Sequence, residues 1–253
     1  MSLSSRLIMM LDMNIAQAIL NAEHRASQAL NQLAFAEPVT HVYNPLDYAH
    51  LPHAEYVTRF AHKGVEALFL GMNPGPFGMA QTGVPFGEIA HVRDWMGINK
   101  AVDQPQHLHP KRPIEGFACQ RSEVSGQRVW SWAKAHYPHA DDFFKRFYVH
   151  NYCPLVFMAD SGRNITPDKL PKEERDAIYQ HCDDLLAELI ATLQPQRVIG
   201  VGGFAEIAAK RVTGGSLPVH RILHPSPASP AANRDWRGTI EKELEAIGVS
   251  LPN

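Results

Sequence analysis

The sequence predicts an α/β protein with three layers, α/β/α, built on a short, mainly parallel four-stranded sheet. Two observations carry this expectation. Four short stretches that read as strands, the first an apolar run too brief for a helix, alternate with stretches whose apolar residues recur every three or four positions. Strands separated by helices are joined by crossovers, which make a sheet parallel and cover both of its faces. The 253 residues are enough for one core of this kind, expected over 1–253 as a single domain with a helical extension at about 1–40.

Within 13–35, Ile15, Ile19, Ala22, Ala26, Leu30 and Leu33 share one helical face, which predicts an amphipathic amino-terminal helix. Tyr56, Val57 and Phe60, followed by Gly64, predict a shorter helix closed by a glycine. Residues 67–70 form the first strand and end at Gly71. The stretch 101–121 contains Pro105, Pro110 and Pro113, has no period and reads as a long loop. Ser122 is expected to cap a helix through Val129, Trp132 and Ala133. Residues 147–152 are β-rich and stop at Pro154. A helix with Ile178, Cys182, Leu185, Leu189 and Leu193 on one face ends at Pro195, and a third strand follows at 197–201. A helix at 204–212, a strand at 219–223 and a last helix from Pro230 to Gly248 complete the chain.

Composition narrows the function classes. Hydrophobic residues at 45% and charged residues at 20% exclude disordered and fibrous chains. A formal charge of −2 means that any nucleic-acid partner has to be met by a local patch. No apolar run nears the ~20 residues of a membrane span. The run at 7–11 is cut by Asp12, so a cytoplasmic location is expected, with action at the nucleoid of a bacterial-type cell. Cys119, Cys153 and Cys182 are too few for a disulfide framework and fit a reducing compartment. The pairs His107/His109, His136/His139 and His220/His224 lack a third ligand at zinc spacing, so no metal is expected. Gly200-Val201-Gly202-Gly203 is an incomplete dinucleotide motif and reads as a tight strand-to-helix turn.

In open α/β sheets ligands bind beyond the carboxyl ends of the strands. Beyond the first strand lies Gly-Met-Asn-Pro-Gly-Pro-Phe-Gly-Met at 71–79, leading to Pro85-Phe86-Gly87. The second strand ends at Asn151 and the fourth at His224-Pro225-Ser226-Pro227. Taken singly, these read as a rigid turn and two satisfied polar strand ends. Together, at one edge of one sheet, they form a candidate site. An asparagine accepts one hydrogen bond and donates another, which matches N3–H and O4 of uracil and mismatches cytosine. Phe86 offers a face for stacking, His224 a donor to an oxygen gaining negative charge, and Asn73 an amide oxygen that orients a water.

The seventeen residues 71–87 and His-Pro-Ser-Pro at 224–227 resemble the two signature motifs of the single-strand-selective monofunctional uracil-DNA glycosylases, within the uracil-DNA glycosylase superfamily. Segments 122–126, 149–151, 153–155 and 161–164 are similar to that family too, so the resemblance covers roughly 50–245. It implies a uracil-DNA glycosylase-like fold and hydrolysis of the N-glycosidic bond of uracil and 5-modified uracils in single- and double-stranded DNA, by a monomer without cofactor or metal. By the same resemblance Asn73 positions the hydrolytic water and His224 stabilises the departing uracil at O2. Asn151 reads the base edge, Phe86 stacks on it, and Met72, Gly75 and Met79 line the base site. The loop 75–79 holds a water beside C5 that a hydroxymethyl group can replace. Pro225, Ser226, Pro227, Ala228, Ser229 and Asn233 form the DNA-contacting wedge. Ala228 departs from the arginine that vertebrate members carry there. Two other readings stay open: a superfamily member with another base preference, such as mismatched thymine or hypoxanthine, and a non-catalytic DNA-lesion binder.

Overall fold

The computed structural model describes residues 3–252, with side chains from residue 14 onward, so the side chains of the apolar run 7–11 lie outside the described residues. In chain order come α1 (Leu3–Leu30), β1 (His41–Tyr43), α2 (Pro45–Tyr48), α3 (His50–Phe60), β2 (Ala67–Gly71) and α4 (Met79–Thr82). After a π-helical turn at His91–Trp95 follow α5 (Val124–His136), α6 (Ala140–Phe144), β3 (Phe147–Asn151), β4 (Val156–Met158) and β5 (Asn164–Ile165). The chain ends with α7 (Lys172–Leu193), β6 (Val198–Val201), α8 (Gly203–Thr213), β7 (Val219–Ile222) and α9 (Pro230–Ala246).

The four expected strands form one sheet in the order β3-β2-β6-β7, and every neighbouring pair is parallel. All residues of β2, β3 and β6 are buried, as befits strands covered on both sides, including the polar His150 and Asn151 at the end of β3. Alternation divides the two faces. Phe69, Val149, Val201 and Ile222 point toward Val129 and Trp132 of α5, Phe143 of α6 and Trp236 of α9. On the opposite face Tyr148 packs on Tyr56 of α3. There, too, a Cβ on Gly200 would overlap the α8 backbone at Glu206, so glycine lets helix and strand approach. No helix among the described residues is long and apolar enough to cross a membrane.

Local readings needed correction where tertiary contacts took over. The first helix stops at Leu30, five residues before the expected end, because Gln32 and Leu33 bond back to Ala29 and Leu30 in a tight turn. Helix α3 ends at Phe60, with Ala61 as its cap, and Gly64, at φ +81°, serves instead the turn into β2, where its N–H donates to Leu193 O. Ser122 does not cap α5. Glu123 occupies the cap position without a side-chain cap bond, and the Ser122 hydroxyl donates to Glu88. A second, antiparallel sheet β1-β4-β5 has strands of two or three residues, too short to show any period. The long loop 101–121 is held to this sheet by His109, whose Nε2 bonds Ala159 O and whose N–H donates to Tyr43 Oη.

Helix α1 is tied to the sheet by buried charge. Glu23 meets His53 Nε2 and His150 Nε2, each at 2.9 Å, and all three residues are buried. His53 faces an acceptor on either side, Glu23 and Gly83 O, so both of its ring nitrogens carry protons. Burial alone would raise the Glu23 pKa. The attraction of His53 and the hydrogen bonds from His150 and His53 outweigh it and bring the value from 4.5 to about 2. Burial likewise opposes protonation of His53, but Glu23 and the Gly83 carbonyl raise its pKa above 6.5.

Removing one partner of such a group strands the others, so Glu23→Ala is expected to cost about 3–5 kcal/mol in chemical denaturation. Glu23 stabilises above its unfolded value of 4.5 and less as pH falls toward about 2. His53 stabilises below 6.5 and less as pH rises through its folded value. The gap between wild type and variant should therefore be widest between pH 4.5 and 6.5 and close on acidification.

Candidate active site

The carboxyl edge of the sheet opens into a cavity of about 520 Å³. Its floor depends on a missing side chain. Gly71 ends β2 in register with Asn151 at the end of β3. A Cβ on Gly71 would overlap Asn151 Oδ1 and stand 2.8 Å from the Phe86 ring, so only glycine lets the amide and the ring meet there. Asn151 is buried, and among the described residues its amide has one partner, Met79 Sδ, a weak acceptor at 3.3 Å.

Phe86 is held in an unfavourable backbone state. Its φ is +53°, in the left-handed region that a bulky residue rarely occupies. The Trp130 indole N–H donates to Phe86 O at 2.9 Å and the Glu88 N–H at 2.7 Å. Gly126 permits that approach, since a Cβ there would collide with Phe86 O. The strain, of order 1–3 kcal/mol, fixes a ring at the cavity floor.

The two polar groups at the mouth have assigned orientations. Asn73 donates through Nδ2 to Leu155 O at 3.0 Å, which commits its NH₂ group and leaves Oδ1 as the acceptor available to the cavity. His224 accepts the Ser226 N–H on Nδ1 at 3.1 Å. Burial lowers its pKa below 6.5. At neutral pH the ring is therefore uncharged, with its proton on Nε2 as a donor. Gly202, at φ +92°, backs this ring, and a Cβ there would lie 3.1 Å from His224 Cβ.

Met72, Gly75 and Met79 also line the cavity, as do Ser226, Ala228 and Ser229. Pro225, Pro227 and Asn233 do not. Pro225 is buried behind the wall, while Pro227 and Asn233 are exposed on the turn beyond it. That turn closes through the Ser229 N–H to Ser226 O, and Asn233 Nδ2 holds Pro227 O at 2.8 Å. Arg128 of α5 braces it by donating to Pro225 O and Asn233 Oδ1.

Five lining residues were not singled out in the sequence: Pro74, Glu123, Ser125, Asn164 and Thr166. Three come from the segments 122–126 and 161–164, whose similarity to the family was the one signal available for them. Glu123 differs most from its ordinary state. Burial and the nearby Glu88 carboxylate raise its pKa from 4.5 to about 7. Glu88 moves the other way: burial would raise it, but hydrogen bonds from the His91 side chain and backbone outweigh that and lower it.

The sequence profile described as the Uracil DNA glycosylase superfamily matches residues 58–245. A curated rat protein, Rattus norvegicus "Single-strand selective monofunctional uracil-DNA glycosylase", is 47% identical over 239 residues, covering 93% of this chain and 86% of its own. The chain belongs to this family of uracil-DNA glycosylases. The Mus musculus protein of the same description is 46% identical over the same share of each chain. In fold the chain is similar to SMUG2 of Pedobacter heparinus, with a TM-score of 0.62 at 19% identity over 89% of this chain and 96% of that one. Family membership accounts for the motifs at both ends of the cavity, and the fold likeness for the three layers around the parallel sheet.

Gly71→Ala tests the floor. The added methyl has to displace Asn151 or Phe86, so a loss of about 1–3 kcal/mol is expected in thermal or chemical unfolding. Displacement of the Asn151 amide by about 1 Å should also reduce kcat/KM on uracil-containing DNA by about 10²-fold. A variant with unchanged kcat/KM would show that the close approach at Gly71 is dispensable.

Proposed function

We propose that this chain, a monofunctional uracil-DNA glycosylase, uses the cavity as its base pocket and hydrolyses the N-glycosidic bond of a flipped nucleotide there. The observation that supports this most is the pairing of opposite polar functions at the mouth: the free Asn73 Oδ1 and the neutral His224 Nε2 donor. Asn73 Oδ1 accepts a hydrogen bond from the attacking water and aims its lone pair at C1′. His224 donates to uracil O2 as the C1′–N1 bond breaks and charge moves onto the base. As the sugar captures the oxygen, the water gives up a proton to solvent and solvent returns one to the uracil anion, so that neutral uracil and an abasic sugar remain.

Specificity is assigned to the floor. Asn151 Oδ1 accepts from N3–H and its NH₂ donates to O4, leaving cytosine with mismatched groups, while Phe86 stacks on the ring. A base reaches this depth only outside the duplex stack, so the nucleotide is flipped or already unpaired. The turn carrying Pro225, Ser226, Pro227, Ala228 and Ser229, with Asn233 behind it, is proposed as the wedge beside the flipped site. With Ala228 at its exposed tip it reaches fewer phosphates than an arginine would. The substrates proposed are uracil and 5-modified uracils in single- and double-stranded DNA. The chain is proposed to act as one domain, α1 included, and as a monomer in the cytoplasm.

Oligonucleotides carrying one uracil, 5-hydroxymethyluracil, thymine or hypoxanthine, in single- and double-stranded form, test this reading through alkali-labile sites. Cleavage at uracil is expected. Binding without base release would favour a lesion-binding protein, and release confined to thymine or hypoxanthine another base preference.

Asn73→Ala should lower single-turnover base release by about 10²-fold or more while uracil-DNA affinity changes little, because the water is oriented for the transition state and not for binding. Equal losses in affinity and rate would make Asn73 a structural residue. His224→Ala should cost about 10²–10³ with uracil and less with 5-fluorouracil, a better leaving group. The same loss on both bases would refute its role at O2.

A further inference from the structure

With a formal charge of −2 the chain as a whole does not attract DNA, so the cations that meet it have to be concentrated locally. Such a concentration borders the cavity and includes none of the groups given a task above. Phe77, half-buried in the loop 75–79, has the Arg121 guanidinium 4.1 Å and the Arg112 guanidinium 5.2 Å from its ring centre. Arg112 Nε donates to Gly162 O at 2.8 Å, and a Cβ on Gly162 would stand 3.4 Å from the guanidinium carbon. The residue after it, Arg163, is exposed and precedes Asn164, which lines the cavity. The three arginines therefore gather beside the part of the rim that Gly75 and Asn164 form.

No counter-charge meets them there. None of Arg112, Arg121 and Arg163 forms an ion pair among the described residues. Of the acids close to them in sequence, Glu115 and Asp160 are exposed and bond none of the three, and Glu123 is uncharged up to about pH 7. Like charges repel, and here an aromatic ring and a backbone carbonyl hold two of them in place. A guanidinium stacked on a ring keeps its in-plane N–H donors, the edge that fits the oxygens of a phosphate. Because the ring already carries guanidinium, the ligand that suits the cluster is an anion and not a stacked base.

We propose that Arg112 and Arg121 on Phe77, with Arg163 beside them, bind phosphates of the damaged strand where it leaves the flipped nucleotide across the rim of Gly75 and Asn164. They supply the grip on phosphate that Ala228 omits from the wedge turn. Since the contacts follow the damaged strand alone, they serve single-stranded DNA as well as duplex. This rests on the base pocket proposed above.

The test uses Arg121→Gln and Arg163→Gln, both at exposed positions where substitution changes stability little. Affinity for a fluorescein-labelled single strand with one tetrahydrofuran abasic analogue is read by anisotropy between about 50 and 200 mM NaCl. Each variant should bind about 3- to 10-fold more weakly at low salt, and its slope of log affinity against log salt should be shallower by about 0.7, the share of one phosphate on a single strand. Arg121→Lys, which keeps the charge, should keep the slope. Single-turnover release of uracil at saturating protein should stay within about two-fold of wild type, because a phosphate grip acts equally on ground and transition states. Strands ending one nucleotide to the 5′ or to the 3′ side of the analogue then locate the contact. On one of them wild type and variants should bind alike, and on the other the difference should persist. Unchanged slopes, or the same loss on both shortened strands, would overturn the proposal, the second by showing attraction without contact. Affinity reads the phosphate contacts and base release reads the pocket, so a wild type that binds with its full slope and releases no uracil would overturn the base pocket, a failure distinct from the loss of the phosphate contacts.

Discussion

The pocket depends on the approach of Asn151 and Phe86 across Gly71. Parallel pairing of β2 and β3 sets Gly71 opposite Asn151, and the absence of a side chain at Gly71 lets the Phe86 ring reach the same point. Three further features keep that approach in place. Trp130 holds the strained Phe86 carbonyl, Gly126 makes room for it, and the helices on that face bury Phe69 and Val149 beneath the floor. The precision is that of a packed core, where an added methyl is felt, extended to a surface cavity.

Two buried glutamates show how partners decide charge. Glu23 sits between two histidines and is an anion down to about pH 2, whereas Glu123 sits near a second carboxylate, with no donor among the described residues, and is an acid up to about pH 7. Residue type alone does not separate them. The first binds α1 to α3 and β3, and through His53 to the Gly83 carbonyl just ahead of Phe86, so the amino-terminal helix is part of the scaffold behind the pocket. The second faces the cavity, where an uncharged group does not oppose the anionic charge that develops on a leaving base.

The amide and imidazole at the mouth follow the same logic of prior commitment. Asn73 and His224 each give one face to a backbone group of the protein, Leu155 O and the Ser226 N–H, and this leaves one defined function toward the cavity. A polar group oriented before the substrate arrives needs little reorganisation in the transition state.

The sequence by itself determined the four strands, the helices between them, and the strand-end residues Asn73, Phe86, Asn151 and His224, because apolar periodicity and turn chemistry are local and the two motifs are contiguous. It also led to the family. The tertiary structure decided the strand order β3-β2-β6-β7, the small antiparallel sheet, the end of α1 at Leu30 and the placing of Glu123 over Gly75 and Gly78. Each of these depends on which distant segments meet: Asn73 finds its backbone partner 82 positions away, and Glu23 reaches His150 across 127. A local pattern reports which face of a segment is apolar. It carries no information about the neighbour that covers that face, and the charge state of a buried carboxyl is set by that neighbour.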